Sequence, residues 1–383
     1  MVGTFLSSFV TLGTAYSFGA FFSAMADEFD SGKAATSVVF GVTTFAFFWL
    51  SILTGRLADR VGPRPVLLLG ACSLFVGLLL TSRAGSLPVA YATYGVGVGV
   101  AAATGYIPMV AAVGGWFEAK RATAVGIAVA GIGVDTLVMS PLAARLVEAH
   151  GWRDTYRFIG IAGALVLLAC IGLVDRPPGQ RSAVAPPLRT VLESPIFRWL
   201  HLSALCSGLA LFVPFVFVGQ YAEAQGVSAV RAAVLVGLLG GSSVLARIGF
   251  GSAVRRFGSM PLYRGSFVLL GSSFLLWLIA GSSYTLLVAF VVVLGVGYGG
   301  FVALSTIVMA ERMGVVGLGA ILGLFYTSQG LGGLVGPPVA GLIIDATGGY
   351  TVAIVGCIVL EVAAFLLLTR VPDTGVGEVA NQA

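Results

Sequence analysis

The sequence predicts an all-α membrane protein with twelve transmembrane helices arranged as two six-helix bundles. Three observations predict it. The chain is 58% hydrophobic and only 10% charged, with a mean hydropathy of +1.01, whereas a soluble domain carries about 25% charged residues. Its apolar runs repeatedly reach the roughly 20 residues that cross a bilayer as a helix. Its glycine and proline landmarks recur in the second half of the chain at offsets of 196 to 200 residues.

Taken in order, the predicted spans are 3–26, 34–55, 65–82, 88–113, 122–147, 156–174, 199–222, 230–254, 262–280, 284–310, 316–344 and 350–369. The fourth and tenth come from splitting long uncharged stretches at turn signals, Gly85-Ser86-Leu87-Pro88 and Gly281-Ser282-Ser283. The run from Met1 to Ala26 lacks a basic leading region and is too long for a signal-peptide core, so it reads as the first span.

Between the sixth and seventh spans the pattern breaks. Asp175-Arg176-Pro177-Pro178-Gly179-Gln180-Arg181, running on to Pro186-Pro187, is polar and proline-rich. It reads as a linker, followed by a partly amphipathic 188–197 that suits the membrane surface. The expected organisation is an N-terminal bundle over 1–178, a cytoplasmic linker over 179–197 and a C-terminal bundle over 198–383. Gly55 and Gly62 recur as Gly251 and Gly258. Gly95, Gly97 and Gly99 recur as Gly295, Gly297 and Gly299, and Gly126, Gly133 and Pro141 as Gly323, Gly330 and Pro338. Parallel repeats of this kind build a large class of carriers, with the substrate site between the halves.

Orientation follows from basic residues. With both termini inside, one set of loops and the tail carry fourteen Lys and Arg, among them Arg56, Arg60, Arg64, Lys120, Arg121, Arg255 and Arg256. The opposite loops carry six: Lys33, Arg83, Arg145, Arg153, Arg157 and Arg231. The expected location is the cytoplasmic membrane with both termini cytoplasmic. The net charge of +5 belongs to these loops and points to no nucleic-acid partner. Cys72, Cys170, Cys206 and Cys357 fall inside apolar runs without paired spacing, which suits neither a disulfide framework nor a zinc site.

The densest charged stretch, Gly55-Arg56-Leu57-Ala58-Asp59-Arg60-Val61-Gly62-Pro63-Arg64, lies between the second and third spans. Asp59 could accept from exposed amides at a neighbouring helix N-terminus. Its arginines could reach acidic partners or helix-end carbonyls. Gly55, Asp59, Arg60 and Arg64 would then form a conformational clasp; the plainer reading is an ordinary positive loop.

Gly55-x-Leu57-Ala58-Asp59-Arg60-x-Gly62-x-Arg64 resembles the loop signature of the major facilitator superfamily. Three further stretches are more specific. They are Trp116-Phe117-x-x-Lys120-Arg121-x-x-Ala124-x-Gly126-Ile127-Ala128, Gly151-Trp152-Arg153, and Gly336-Pro337-Pro338-x-Ala340-Gly341-x-x-x-Asp345-x-x-Gly348-x-Tyr350. With Tyr16-Ser17-Phe18-Gly19 they resemble the monocarboxylate transporter family and its bacterial relatives, including oxalate:formate antiporters. The resemblance covers nearly the whole chain.

Arg247, in the eighth span, breaks the internal symmetry, because its repeat counterpart is Ser51. An intramembrane guanidinium costs about 2.5–3.5 kcal/mol on insertion scales and usually lines a cavity. Its planar fork suits a carboxylate. The resemblance implies a substrate-binding arginine in this helix, and Arg247-x-x-x-Gly251 matches it. The competing reading has Arg247 only about 6 Å from the helix end, four residues at 1.5 Å each, snorkelling to the cytoplasm.

Asp135 is the candidate for proton coupling. A buried carboxylate among small residues can load and release a proton, or it can pair statically with hydroxyls or with Arg247. Tyr16, Tyr106 and Tyr326 each offer a hydroxyl and a ring to a small anion, and Pro108 could loosen the backbone beside Tyr106. Packing or interfacial roles fit each of them equally well. Phe212, Phe215 and Phe217 around Pro214 would line the seventh helix. Glu361 reads as a structural contact.

Several family features are missing. Where proton-coupled animal members carry an Asp four residues before the arginine, this chain has Ser243, a further substrate-contact candidate. The first and eleventh spans hold no Lys. One fixed cation suits a monoanion better than a dianion.

The expected activity is alternating-access transport of a small monocarboxylate such as lactate, pyruvate or acetate, with H⁺ symport. The alternative is efflux or exchange of another organic anion, metabolite or drug. The expected partners are that anion, protons and the lipid bilayer, with the protein a monomer and no cofactor. No His-Glu-x-x-His, P-loop or strand-led glycine turn appears, and Gly95-x-Gly97-x-Gly99 lies inside an apolar helix as a packing feature.

Overall fold

The computed structural model describes residues 1–117, 121–176, 188–314 and 317–371, and among them every regular element is helical. Lys120, and the 179–187 part of the expected linker, lie outside the described residues, as do the side chains from Arg121 to Ile127. Helix α1 runs from Val2 to Ala20 and continues after a 57° bend as Phe22–Glu28. Helices α2 (Lys33–Val61), α3 (Pro63–Thr81) and α4 (Leu87–Trp116) follow. The next helix, Arg121–Ile171, is 51 residues long and is interrupted at Gly151. At 1.5 Å per residue it far exceeds a bilayer, so its two arms are α5 and α6.

The second half holds α7 (Pro195–Ala224), α8 (Ala229–Phe257), α9 (Ser259–Ala280), α10 (Tyr284–Met313), α11 (Leu318–Thr347) and α12 (Thr351–Leu368). Among the described residues, counting α5 and α6 separately and the bent α1 as one span gives twelve spans. A short helix, Leu188–Glu193, precedes α7, and the Ser194 hydroxyl caps α7 by accepting from the Phe197 amide.

Single glycines make the tightest turns. Gly62 ends α2 and begins α3 at φ 90° and ψ 167°; Gly258 joins α8 to α9 at φ 79° and ψ 159°. Such backbone is open almost only to glycine. The repeat extends to side chains. Arg64 Nε donates to the Val174 carbonyl at 2.9 Å, and Arg264 donates to the Val371 carbonyl at 2.9 Å. In each half the arginine after the turn ties the third helix to the end of the sixth.

The halves meet along α2 and α11, α5 and α8, and the Ser17–Ala20 turn of α1 with α7. Small residues make this contact close, as bilayer helices require. A Cβ on Gly133 of α5 would stand 2.4 Å from the Gly240 carbonyl of α8, and one on Gly341 of α11 would stand 2.6 Å from the Ala34 amide nitrogen of α2. Gly295 and Gly299 likewise bring α10 against α8, with a Gly299 Cβ 2.3 Å from the Ser243 carbonyl. The four cysteines are free.

Candidate functional site

The crossing of α5 and α8 at Gly133 and Gly240 sets the site. One turn before Gly133 is Val129, and two turns after Gly240 is Arg247. Arg247 Nη1 donates to the Val129 carbonyl at 3.2 Å, a bond between the halves. Its Nε and Nη2 are buried without a hydrogen-bond partner among the described residues. These two N–H groups form the side edge of the guanidinium, which takes a carboxylate at two points. No carboxylate of the described residues lies in ion-pair range of it.

The snorkelling reading gives Arg247 four further residues of helix, and the structure gives it more. Helix α8 runs ten residues past Arg247 to Phe257, about 15 Å of rise. Its neighbours Leu245 and Ile248, 73% and 68% exposed, mark the outer face, and Arg247 points away from them into the contact between halves.

Three tyrosines and one unforeseen partner surround it. The Tyr298 ring, on α10, lies 5.8 Å from the guanidinium carbon. The Tyr16 hydroxyl of α1 faces that of Tyr298. Tyr106 sits where α4 is interrupted, two residues before Pro108, with its ring 6.1 Å from Phe47. Tyr326 shares a 2.8 Å hydrogen bond with Ser305 of α10 and stacks on Phe48 of the other half. Tyr298 was not singled out from the sequence. It stands between glycines where its repeat counterpart is Val98, the same break in symmetry that marks Arg247.

Asp135 is fully buried, with its Cβ side against Gly13 of α1. Its Oδ1 accepts from the Thr136 amide and, at 2.7 Å, from the Thr136 hydroxyl. Its Oδ2 has no partner among the described residues, and no ion pair joins it to Arg247. The expected pairing with another helix's hydroxyls is therefore replaced by bonds within α5. Ser243 is buried, and its hydroxyl donates to the Gly240 carbonyl at 2.7 Å. That hydroxyl is turned to its own helix, and the Ser243 carbonyl lies against Gly299 of α10. Glu361 accepts from Ser207 at 2.9 Å inside the C-terminal half, as a structural contact would.

The clasp differs from expectation. Gly55 has open space around it. The Asp59 carboxylate accepts no hydrogen bond among the described residues, whereas its backbone carbonyl accepts from Arg176. Arg64 pairs with Asp175 at 2.9 Å, and Arg60 is exposed. Asp59, Arg60 and Arg64 make no hydrogen bond to the C-terminal half among the described residues, so in this conformation the clasp binds only its own half.

The opposite end is shut. The Ala34 amide of α2 donates to Asp345 of α11 at 3.0 Å, and Ser23 of α1 lies 3.0 Å from both Gln220 and Glu223 of α7. Rings seal the same seam: Tyr16 on Phe215 at 5.0 Å, Phe22 on Phe217 at 5.6 Å and Phe40 on Phe212 at 6.1 Å. The Gly151-Trp152-Arg153 stretch braces this end within one half. The Trp152 indole and the Arg153 guanidinium both donate to Glu28, and Arg153 also reaches the Ser82 and Ala84 carbonyls.

Comparison with known proteins gives a consistent result. The sequence model of the Major Facilitator Superfamily matches residues 4–317 and, overlapping it, 242–382. Monocarboxylate transporter 3 of Rattus norvegicus is 30% identical, with 94% of this chain and 78% of that protein aligned. Monocarboxylate transporter 12 of Homo sapiens is 30% identical over 93% of this chain and 77% of its own length. Among solved structures, a bacterial homolog of the human lysosomal transporter Spinster, in an inward-facing and occupied conformation, superposes with a TM-score of 0.74. It is 16% identical and covers 96% of both chains, a likeness of fold.

Proposed function

Because the chain belongs to the major facilitator superfamily and, within it, to the monocarboxylate transporter family, and is thus an integral multi-pass transporter rather than an enzyme, we propose that it carries a small monocarboxylate such as lactate, pyruvate or acetate by alternating access. The observation that carries this reading is Arg247. Its Nη1 is held by Val129 of the opposite half while its Nε–Nη2 edge is buried and unpartnered. A buried donor left unmade costs about 1–3 kcal/mol, more when charged. A carboxylate on that edge satisfies both groups at once. Tyr106 and Tyr326 would complete the contact from α4 and α11, with Tyr16 and Tyr298 between them. Ser243 would contribute only after its hydroxyl left Gly240.

Asp135 supplies the reading's proton. Arg247 and an ionised Asp135 leave no net charge for an incoming anion, so a proton on the free Oδ2 would accompany the substrate. The halves would rock about the site, with Gly55, Asp59, Arg60 and Arg64 re-engaging the C-terminal half when the clasp end closes. The basic-loop bias supports cytoplasmic termini in the cell membrane. The linker over 179–197 would join bundles 1–178 and 198–383, working as a monomer.

Ligand-induced thermal stabilisation of the purified protein tests this, because binding to the folded state raises its melting temperature by mass action. Lactate, pyruvate and acetate are compared with dicarboxylates, sugars and cationic drugs at pH 5.5 and 7.5. Stabilisation by a monocarboxylate, greater at pH 5.5 and absent in Arg247→Ala, is expected. Stabilisation by drugs or sugars alone overturns the reading.

A further inference from the structure

The seam opposite the clasp holds a carboxylate that the carboxylate-binding reading does not use. Glu223, half-buried near the end of α7, has its Oε2 3.0 Å from the Ser23 hydroxyl, and the same hydroxyl lies 3.0 Å from Gln220 Oε1. A hydroxyl has one proton to donate. With the Gln220 amide oxygen turned to Ser23, two acceptor oxygens share one donor, while Gln220 Nε2 is buried without a partner among the described residues. Beside them is a cavity of about 10 Å³, room for one water molecule, lined by Gly19, Ser140, Gly219, Glu223 and Val236. It lies between the halves and draws on α1, α5, α7 and α8. The Ser140 hydroxyl, 1% exposed, has no partner among the described residues.

We propose that Glu223 is a proton-binding site, and that this end of the protein closes with a proton on Glu223. The proton supplies the missing donor. Glu223 Oε2–H donates to the Ser23 oxygen, and the Ser23 hydroxyl then donates to Gln220 Oε1. A water in the adjoining cavity would link the carboxyl to the Ser140 hydroxyl. The titratable groups that face Glu223 are Asp27 from α1 and Tyr350 at the start of α12. Of the other carboxylates at this end, Asp345 is engaged by Ala34, Glu28 by Trp152 and Arg153, and Asp154 by Arg157. No Lys, Arg or His forms an ion pair with Glu223 among the described residues. An ionised Glu223 would thus leave an uncompensated charge at a closing seam, next to a second carboxylate, and such burial is costly. Opening would return Glu223 to water, where it can release or take up the proton. The inference adds a second protonatable site to the proton-linked reading and rests on that reading only for its place in the transport cycle.

The test reads closure directly. Gly219→Cys is introduced into a background without the four native cysteines; Gly219 lines the cavity, and a Cβ there meets nothing within 4 Å. Its labelling by a membrane-impermeant maleimide is followed at pH 5.5 and 7.5, with rates normalised to the same protein unfolded in detergent. Labelling at least about fivefold faster at pH 7.5 is expected. Adding Glu223→Gln, which keeps the shape of the protonated side chain, is expected to give slow labelling at both values. A pH-independent rate with Glu223 intact overturns the proposal, and would mean that Gln220 donates through its amide nitrogen to an ionised set. An unchanged pH response in Glu223→Gln also overturns it. The Glu223-containing protein alone can decide, even if Glu223→Gln does not fold. L-lactate uptake into liposomes is measured in parallel. Absence of lactate transport counts against the monocarboxylate reading and leaves the labelling result to judge Glu223.

Discussion

Arg247 of the C-terminal half and Val129 of the N-terminal half are joined by a 3.2 Å hydrogen bond from the guanidinium Nη1 to the backbone carbonyl. The bond orients the guanidinium and leaves its two-point edge free. It also places the one intramembrane arginine of α8 where both halves can respond to what binds it. Hydrogen bonds to charged groups contribute about 1.5–3 kcal/mol, so losing one of two such contacts is measurable.

Arg247→Lys keeps the charge but replaces a planar fork by a point ammonium. Affinity for the monocarboxylate is expected to fall by about tenfold or more, and Arg247→Ala should abolish binding. Thermal-shift titration reads both. A Lys variant that binds as tightly as the wild type would show that two-point contact is not used.

Asp135→Asn keeps the size of the side chain and an acceptor for Thr136 but cannot carry a proton to the free oxygen. Lactate exchange across liposomes at equal pH should persist within about twofold, while accumulation driven by a pH gradient should be lost. Retained accumulation would remove Asp135 from proton coupling.

Gly62→Ala tests the hairpin that carries the clasp. Gly62 stands at φ 90° and ψ 167°, where a Cβ costs about 1–3 kcal/mol, although no atom lies within 4 Å of that Cβ. The penalty is conformational alone. A lower melting temperature is expected in Gly62→Ala and an equal or higher one in Gly55→Ala, because Gly55 is ordinary helix with open space around it, where Ala is the better helix former. Equal effects would contradict this.

Much of the architecture was legible because hydropathy and glycine punctuation act locally. The spans and the Gly62 and Gly258 turns needed no knowledge of partners. What was not legible depended on distance in the chain. Four residues of remaining helix put Arg247 about 6 Å from an end, whereas α8 continues through Arg255 and Arg256 to Phe257. Ser243, one turn from Arg247, has its hydroxyl on the Gly240 carbonyl of its own helix, a bond that spacing alone does not record. Tyr298 was hidden among packing glycines. The partners of Asp59 depend on which end of the protein is closed, and no local pattern records that.

Asp345 shows how the closed end is held. Helix α2 begins at Lys33 after Gly32, which has no side chain to cap it. The cap comes from the other half, where Asp345 Oδ2 accepts from the Ala34 amide at 3.0 Å, an arrangement that the positive N-terminal end of the helix favours. A Cβ on Gly32 would stand 2.7 Å from that oxygen, so the glycine is what admits the carboxylate. Removing an N-cap costs about 0.5–2 kcal/mol, and here the loss falls only on the conformation closed at this end. Asp345→Ala should therefore shift the population toward the form open at this end by about 2- to 30-fold. Asp345→Asn should shift it less, because an amide oxygen still caps. Distances between spin labels on cysteines placed at Gly85 and Ser282, in exposed loops of the two halves at this end, read the shift as a longer component. Identical distance distributions in wild type and Asp345→Ala would mean that the aromatic seal of Tyr16, Phe22 and Phe40 against α7 holds this end without the cap.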